Sequence, residues 1–285
     1  MSTRRRPLLV LLAVLAATLA GCSGDADEGA APSDAQAVLA AAPDRTIGAG
    51  SARIAIDAAL RGQTRGSLTG EGAFSFDSGR GRLELDLGPL GLAGAGRTEV
   101  LLDGDIVFLK LGGALPGLGA RPWVRIDLGS LGKGQGDSIE ALRQLRANDP
   151  RAVIHELRGV TGDAVKVGTE VVRGAETTRY RATVDLDKAA ASAPVEVRGH
   201  LAEVARQLGT SKLEMDAWLD ADGLIRRLQY TIDLASLDDS APAKGTGTGT
   251  LVATLELFDF GADVAVEAPA KAETTDLAEL LGGRR

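Results

Sequence analysis

From Ser51 onward the chain alternates between apolar and polar positions. Ile54, Ile56, Ala58 and Leu60 fall on one parity, and Arg53, Asp57 and Arg61 on the other. Leu68, Phe74 and Phe76 share a parity, with Gly70 and Gly72 between them, and Leu83, Leu85 and Leu87 alternate with Arg82, Glu84 and Asp86. A period of two over short runs predicts half-buried antiparallel strands. The connections agree, because Asp77-Ser78-Gly79 and Asp103-Gly104 read as hairpin turns. The second turn joins Thr98–Leu102 to Ile106–Leu111, and Trp123–Leu128 follows as a further strand. Alternation resumes at Val165–Val172, turns at Gly174, and continues through Tyr180, Ala182, Val184 and Leu186. Two more strands, Leu213–Leu219 and Leu228–Leu234, flank an Asp222-Gly223 turn, and Leu251–Phe260 comes last.

Helical spacing interrupts this pattern. Ser33 is placed to cap a short helix over Asp34–Ala42. Ile139, Leu142 and Leu145 recur at helical intervals, and Asp149-Pro150 opens a second helix through Leu157. Pro194–Leu208 places Val197, Leu201, Val204 and Leu208 on one face and stops at Gly209. A short helix is expected at Asp276–Leu281 in the tail. The sum is an α+β fold, with nine to eleven antiparallel strands in one large curved sheet and helices packed on its concave face. Nothing divides residues 33–285, which read as a single domain.

The amino-terminal segment has a different character. Three arginines at positions 4–6 precede an unbroken apolar run, Leu8–Ala17, and Leu19-Ala20-Gly21-Cys22 matches the bacterial lipobox. The match implies a signal peptide over residues 1–21, cleavage before Cys22, and acylation of that residue. A plain secretory peptide or a signal anchor is the alternative, but the run is short for a spanning helix. Cys22 is the chain's one cysteine, so no internal disulfide forms. Residues 22–32 carry no bulky apolar side chain and read as a flexible tether.

Composition narrows the function. The 285 residues carry 32 basic and 39 acidic side chains, a formal charge of −7. Loss of residues 1–21 removes three arginines and no acid, which takes the charge to −10. Such a body does not bind nucleic-acid phosphates and is held at an anionic membrane by its lipid rather than by charge. Aromatics are 3% of residues and histidines number two, too few for a base-stacking platform or a multi-histidine metal site.

Catalytic motifs are missing as well: there is no Gly-x-Ser-x-Gly, no Walker sequence and no His-Glu-x-x-His. His155 and His200 read as surface histidines on helices. Asp220-x-Asp222-Gly223 lacks the further acidic ligands of a calcium loop and reads as a hairpin turn. Gly245–Gly249 precedes no helix that would offer its amino terminus to a phosphate, and reads as a loop. The chain is expected to be no enzyme and to need no cofactor.

Several runs, in order and spacing, resemble the actinobacterial lipoproteins of the LppX/LprG group. They are the lipobox at Cys22, the hairpin Leu102–Phe108, Trp123–Asp127, Thr178–Asp185, Trp218-Leu219-Asp220 leading into Gly223–Arg227, and Phe258–Gly261 before Pro269. The resemblance covers most of residues 34–282. It implies the LolA-like half-barrel, closed by helices around an apolar cavity, and a role in binding or moving lipids or glycolipids as a carrier or chaperone in the cell envelope. The implied location is the extracytoplasmic face of the cell membrane, with a lipid or glycolipid as ligand and an envelope transporter as a further candidate partner.

From the residues alone, a cavity and an ordinary close-packed core both remain open. The lining expected for a cavity is Ile54, Ile56, Phe74, Phe76, Leu85, Val107, Leu109, Val184, Met215 and Tyr230. The uncharged loop Leu111–Ala120 places Leu115 and Leu118 at the cavity mouth or against the membrane, or else folds over the sheet edge. The alternative function is an envelope sensor or scaffold module with a filled core that binds another protein.

Overall fold

The computed structural model describes residues 34–62, 66–86, 88, 96–111, 121–128, 150–237 and 249–282, all within one compact unit, Pro32–Arg285. The expected signal peptide, the tether with Cys22, the helix over 139–145, Leu115, Leu118 and Gly245 lie outside the described residues.

Among the described residues, twelve strands form one open, curled sheet. They are β1 (Ser51–Gly62), β2 (Gly66–Ser75), β3 (Arg80–Asp86), β4 (Arg97–Asp103), β5 (Ile106–Lys110) and β6 (Trp123–Asp127), then β7 (Val165–Val172), β8 (Ala175–Asp185), β9 (Lys212–Leu219), β10 (Ile225–Asp233), β11 (Gly249–Phe258) and β12 (Thr274–Asp276). Their order is β12-β6-β5-β4-β3-β2-β1-β11-β10-β9-β8-β7. The first six strands thus run outward from β1 in one direction, and β11 back to β7 in the other. Neighbouring strands are antiparallel except β12, which pairs parallel to β6. The turns follow the sequence signals: Gly79, Gly104, Gly174 and Gly223 all have positive φ, the conformation that glycine adopts without steric cost.

The period-two pattern becomes two faces. A single cross-strand row on the outer face spans all twelve strands: Gly168, Arg179, Trp218, Arg227, Glu256, Ala55, Glu71, Glu84, Glu99, Lys110, Trp123 and Thr274. Three glutamates stand next to one another in that row. Like charges directly opposite destabilise a sheet, and each glutamate here has a cation: Arg173 bonds Glu71, Arg97 bonds Glu84, and Lys110 and Arg82 pair with Glu99. The inner face carries the apolar parity, and the helices cover it.

Those helices are α1 (Asp34–Gly48), α2 (Pro150–His155) with a 3-10 turn at Glu156–Gly159, α3 (Leu186–Ser192), α4 (Val195–Leu208) and α5 (Leu277–Gly282). The α1 helix continues six residues beyond the expected Ala42, passing through Pro43. An interior proline normally costs about 3 kcal/mol. Here Ala42, Pro43 and Thr46 are all buried, so packing outweighs that cost. The Thr46 hydroxyl accepts a hydrogen bond from the Ile225 amide at 3.0 Å, which pins the end of α1 to the start of β10. Leu186, expected on a strand, begins α3 instead, because the Asp185 carboxylate accepts from the Asp187 and Lys188 amides and caps a helix there. Gly209 ends α4 in the left-handed conformation, as expected.

The twelfth strand was not anticipated. After β11 the chain crosses the outer face, tied by the Ser51 hydroxyl to the Ala262 carbonyl at 2.6 Å and by Arg80 to the Val266 carbonyl at 2.8 Å. Val266 packs on Leu101, Phe108 and Trp123 in a small outer cluster. The strap then adds β12 to the β6 edge, and Leu277 and Leu280 of α5 pack against the inner core. One edge of the sheet is thereby covered rather than left as an unpaired template.

Candidate functional site: the inner face and its buried carboxyl

All ten side chains expected to line a cavity gather in one apolar cluster on the inner face. Ile54, Phe74, Phe76, Val107, Val184 and Met215 are buried, and Ile56, Leu85, Leu109 and Tyr230 are half-buried against them. Strand glycines do not leave bare floor here. A Cβ on Gly81 would meet the Phe74 ring at 2.7 Å, and Leu85 lies over Gly70 in the same way, so large side chains occupy the space of the missing ones. The helices above bury both large and small side chains, Leu39, Ile154, Leu157, Leu186 and Leu201 beside Ala152, Ala189 and Ala193.

Tyr230 sits in an inner row with Ala182, Met215, Ala253, Ala58 and Leu68. Its hydroxyl donates a hydrogen bond to the Glu156 carboxyl on the 3-10 turn. The bond joins the helical layer to the middle of the sheet. Glu156 is 4% exposed. Burial pushes its carboxyl up to about 7, against the opposing effect of the Tyr230 hydrogen bond. Burial also pushes the Tyr230 phenol well above its ordinary range, with the adjacent carboxyl adding to the effect. The phenol therefore remains a donor at all ordinary pH, while the carboxyl exchanges its proton near neutrality.

The sequence reading placed His155 on the surface, and the structure corrects this: His155 is 5% exposed. The reason is that α2 is enclosed. The α1 and α4 helices pack on this helix of only six residues, and α1, α3 and β8 pack on the 3-10 turn that follows it, so its polar side is buried along with its apolar one. Glu156 was missed for the same reason. On a helical projection, Glu156 and His155 fall opposite Ile154 and Leu157, the side usually left to solvent.

The outer face has a different chemistry. The Trp218 ring lies between Arg179 and Arg227, at 5.0 and 5.2 Å from their guanidinium carbons. Asp216 accepts from both Arg179 and Arg181. Burial pushes the Asp216 carboxyl up, yet those two arginines outweigh it and hold the group below its usual range. A groove of about 620 Å³ runs over this face, lined by Asp57, Glu71, Glu84, Asp86, Arg97 and Arg227 among others. Asp220, considered above as a calcium ligand, accepts from the Asp222 and Leu224 amides and pairs with Arg226, the work of a turn. Among the described residues no group of His, Cys, Asp and Glu is arranged to hold a metal ion, and no helix is long and apolar enough to cross a membrane.

No protein-family model matches the chain. An uncharacterised 31.2 kDa protein from the rplA–rplJ intergenic region of Streptomyces griseus is 29% identical over 195 residues, 66% of this chain. The match spans 59% of that relative's length. Among solved structures, the lipoprotein LppX of Mycobacterium tuberculosis superposes with a TM-score of 0.49 at 17% identity, covering 82% of this chain and 100% of LppX. LprF of Mycobacterium bovis gives a TM-score of 0.46 at 16% identity, covering 84% of this chain and 99% of LprF. The chain is similar to the LppX group of actinobacterial lipoproteins.

Proposed function

We propose that this chain is a membrane-anchored lipoprotein of the cell envelope that shelters the apolar part of a lipid or glycolipid between its helical layer and the inner face of its sheet. One observation carries the reading: a continuous apolar face on a twelve-stranded sheet is covered by a layer of helices rather than by a second sheet. Ile54, Ile56, Phe74, Phe76, Leu85, Val107, Leu109, Val184, Met215 and Tyr230 are the lining. Affinity comes from burial alone, at about 0.8 kcal/mol per methylene, with no covalent step. Cys22, acylated after removal of residues 1–21, holds the domain at the extracytoplasmic face of the membrane, and an envelope transporter receives or supplies the cargo.

Native mass spectrometry of the Cys22→Ala protein, purified from a lipid-containing host, tests this. The expected result is a set of adducts of lipid mass that organic extraction removes. A bare mass in every preparation, with another envelope protein retained in stoichiometric amount, would instead establish the sensor or scaffold module, whose natural contact is the charged outer groove.

A further inference from the structure

We propose that the Glu156–Tyr230 hydrogen bond is a clasp that holds the helical layer down on the sheet, and that the proton on Glu156 keeps it closed. The inference rests on the carrier reading for its purpose, since cargo between layer and sheet requires the layer to lift. The geometry is independent of that reading. Glu156 belongs to the turn between α2 and Val160, and Tyr230 stands on the inner face of β10 in the row of Met215 and Ala253. The ends of this layer are held elsewhere. Thr46 fastens α1 to Ile225, and the backbone of Val160 and Thr161 bridges to β8 at Val184 and Thr183. The Glu156–Tyr230 bond lies between those two moorings, over the apolar interior.

The surrounding charges leave this carboxyl to its own chemistry. On the same turn, Arg158 is tied to Asp44 of α1. The other charged residue near that end of α1, Arg45, lies against Gly223 of the β9–β10 turn. On α2, the Arg151 guanidinium lies over the Phe74 ring and His155 is buried beside Glu156 in the chain. On α3, Asp187 and Lys188 are exposed. On β8, Asp185 caps α3, Arg179 and Arg181 bond Asp216, and Tyr180 is half-buried. On β10, Arg226 and Arg227 pair with Asp220 and Glu256. Burial is the largest influence on the Glu156 carboxyl, ahead of Tyr230.

A neutral carboxyl is accommodated in such an interior, whereas an ionised one is relieved only by water. Water reaches it when the layer lifts. Rising pH therefore favours the open arrangement, and falling pH closes it over whatever is inside. In the open arrangement the carboxyl regains its ordinary affinity for protons, which links opening to ionisation.

Hydrogen exchange of the full chain between pH 5 and 9, corrected for intrinsic rates, tests the clasp. For the wild type, amides of α2 and the 3-10 turn should exchange about tenfold faster at pH 8 than at pH 6 and level off above, as linkage through one carboxyl requires. Glu156→Gln keeps a hydrogen-bonding group and cannot ionise, so its profile should be flat. Tyr230→Phe should exchange faster at every pH. A wild-type profile independent of pH, or a Glu156→Gln profile that follows the wild type, overturns the clasp. Uptake of a pyrene-tailed long-chain alcohol, which carries no titratable group, separates the two readings. Uptake without linked exchange sinks the clasp and leaves the carrier standing. Linked exchange without uptake at any pH sinks the carrier and leaves the clasp.

Discussion

The Arg173 guanidinium lies 4.0 Å from the centre of the Phe258 ring, although two strands separate β8 from β11 in the sheet. The β7–β8 hairpin therefore folds its tip across the outer face. From there Arg173 bonds Glu256 at 2.6 Å and Glu71 at 3.1 Å, bridging the gap that Ala55 leaves between them in the long cross-strand row. Burial pushes the Glu256 carboxyl up, and hydrogen bonds from Arg173 and Arg227 outweigh it and hold the group below its usual range. Arg173 and Gly174 both have positive φ, the form of a two-residue hairpin turn that favours Asn-Gly.

This arrangement sets the backbone strain of Arg173 against its side-chain contacts. Left-handed backbone costs a non-glycine residue roughly 1–2 kcal/mol, while half-exposed ion pairs and a cation–π contact return about as much. Arg173→Ala should lower stability by about 1–2 kcal/mol, because it keeps the strain and loses the partners. Arg173→Asn loses the same partners yet suits the turn, and should recover part of the loss. Urea unfolding midpoints compare them, and equal midpoints for the two variants would show that the backbone carries no strain.

Two strand glycines should behave in opposite ways. A Cβ on Gly72 would run into the Arg82 carbonyl oxygen and stand 2.8 Å from the Leu83 Cα, backbone atoms that cannot turn aside. Gly168 on β7 has open space at that position. Gly72→Ala should therefore cost about 3 kcal/mol or more, at the top of the range for overpacking. Gly168→Ala should be neutral or raise stability by up to about 1 kcal/mol through the unfolded chain. Thermal melts of the two variants check the contrast, and similar melting temperatures would contradict the close approach of β2 and β3.

The long strands were legible because each has a whole face against the core. Ile54-Ala55-Ile56-Asp57 and Leu83-Glu84-Leu85-Asp86 carry enough alternation to fix both the element and its inner parity. β12 was not legible. Three residues, Thr274–Asp276, hold no period, and their pairing with Trp123–Arg125 depends on a strap that packs through Val266 on residues far away in the chain. The inner-face residues could be chosen from parity alone, as Met215 and Tyr230 were. The carboxyl facing Tyr230 could not, because Glu156 is buried by three other helices and the sheet rather than by any pattern of its own. A polar residue adjoining a short helix that many elements enclose carries no local mark of its burial.

Stability should fall as pH rises from about 5 to about 8. The Glu156 carboxyl is raised from 4.5 to about 7 in the folded chain. Between those values the folded state holds a proton that the unfolded state has lost, so unfolding releases it and rising pH favours unfolding. At about 1.4 kcal/mol per unit, the loss from this one group is on the order of 3 kcal/mol, complete a little above pH 7. Glu156→Gln should remove that slope and leave the acid-side loss from groups such as Asp216, held below its usual range by Arg179 and Arg181 once their hydrogen bonds overcome burial. Denaturant titrations at unit pH intervals measure it, and parallel curves for the wild type and Glu156→Gln would place the protonation change elsewhere.

Met215 provides the most direct probe of space beneath the helices. It is 3% exposed on the inner face of β9, with Ala182 on one side and Tyr230 on the other. Replacing it with tryptophan adds several heavy atoms at a point where the neighbour is an alanine. In a core already filled to crystal-like density, that excess forces strained rotamers and costs about 1–3 kcal/mol. If acyl chains occupy this region, the indole takes their place and the fold is little disturbed. The carrier reading therefore predicts that Met215→Trp lowers binding of the pyrene-tailed alcohol at least tenfold while unfolding free energy changes by less than about 1 kcal/mol. A loss near 3 kcal/mol with binding unchanged would mean that the interior is filled by the protein's own side chains, and that any ligand sits elsewhere on the molecule.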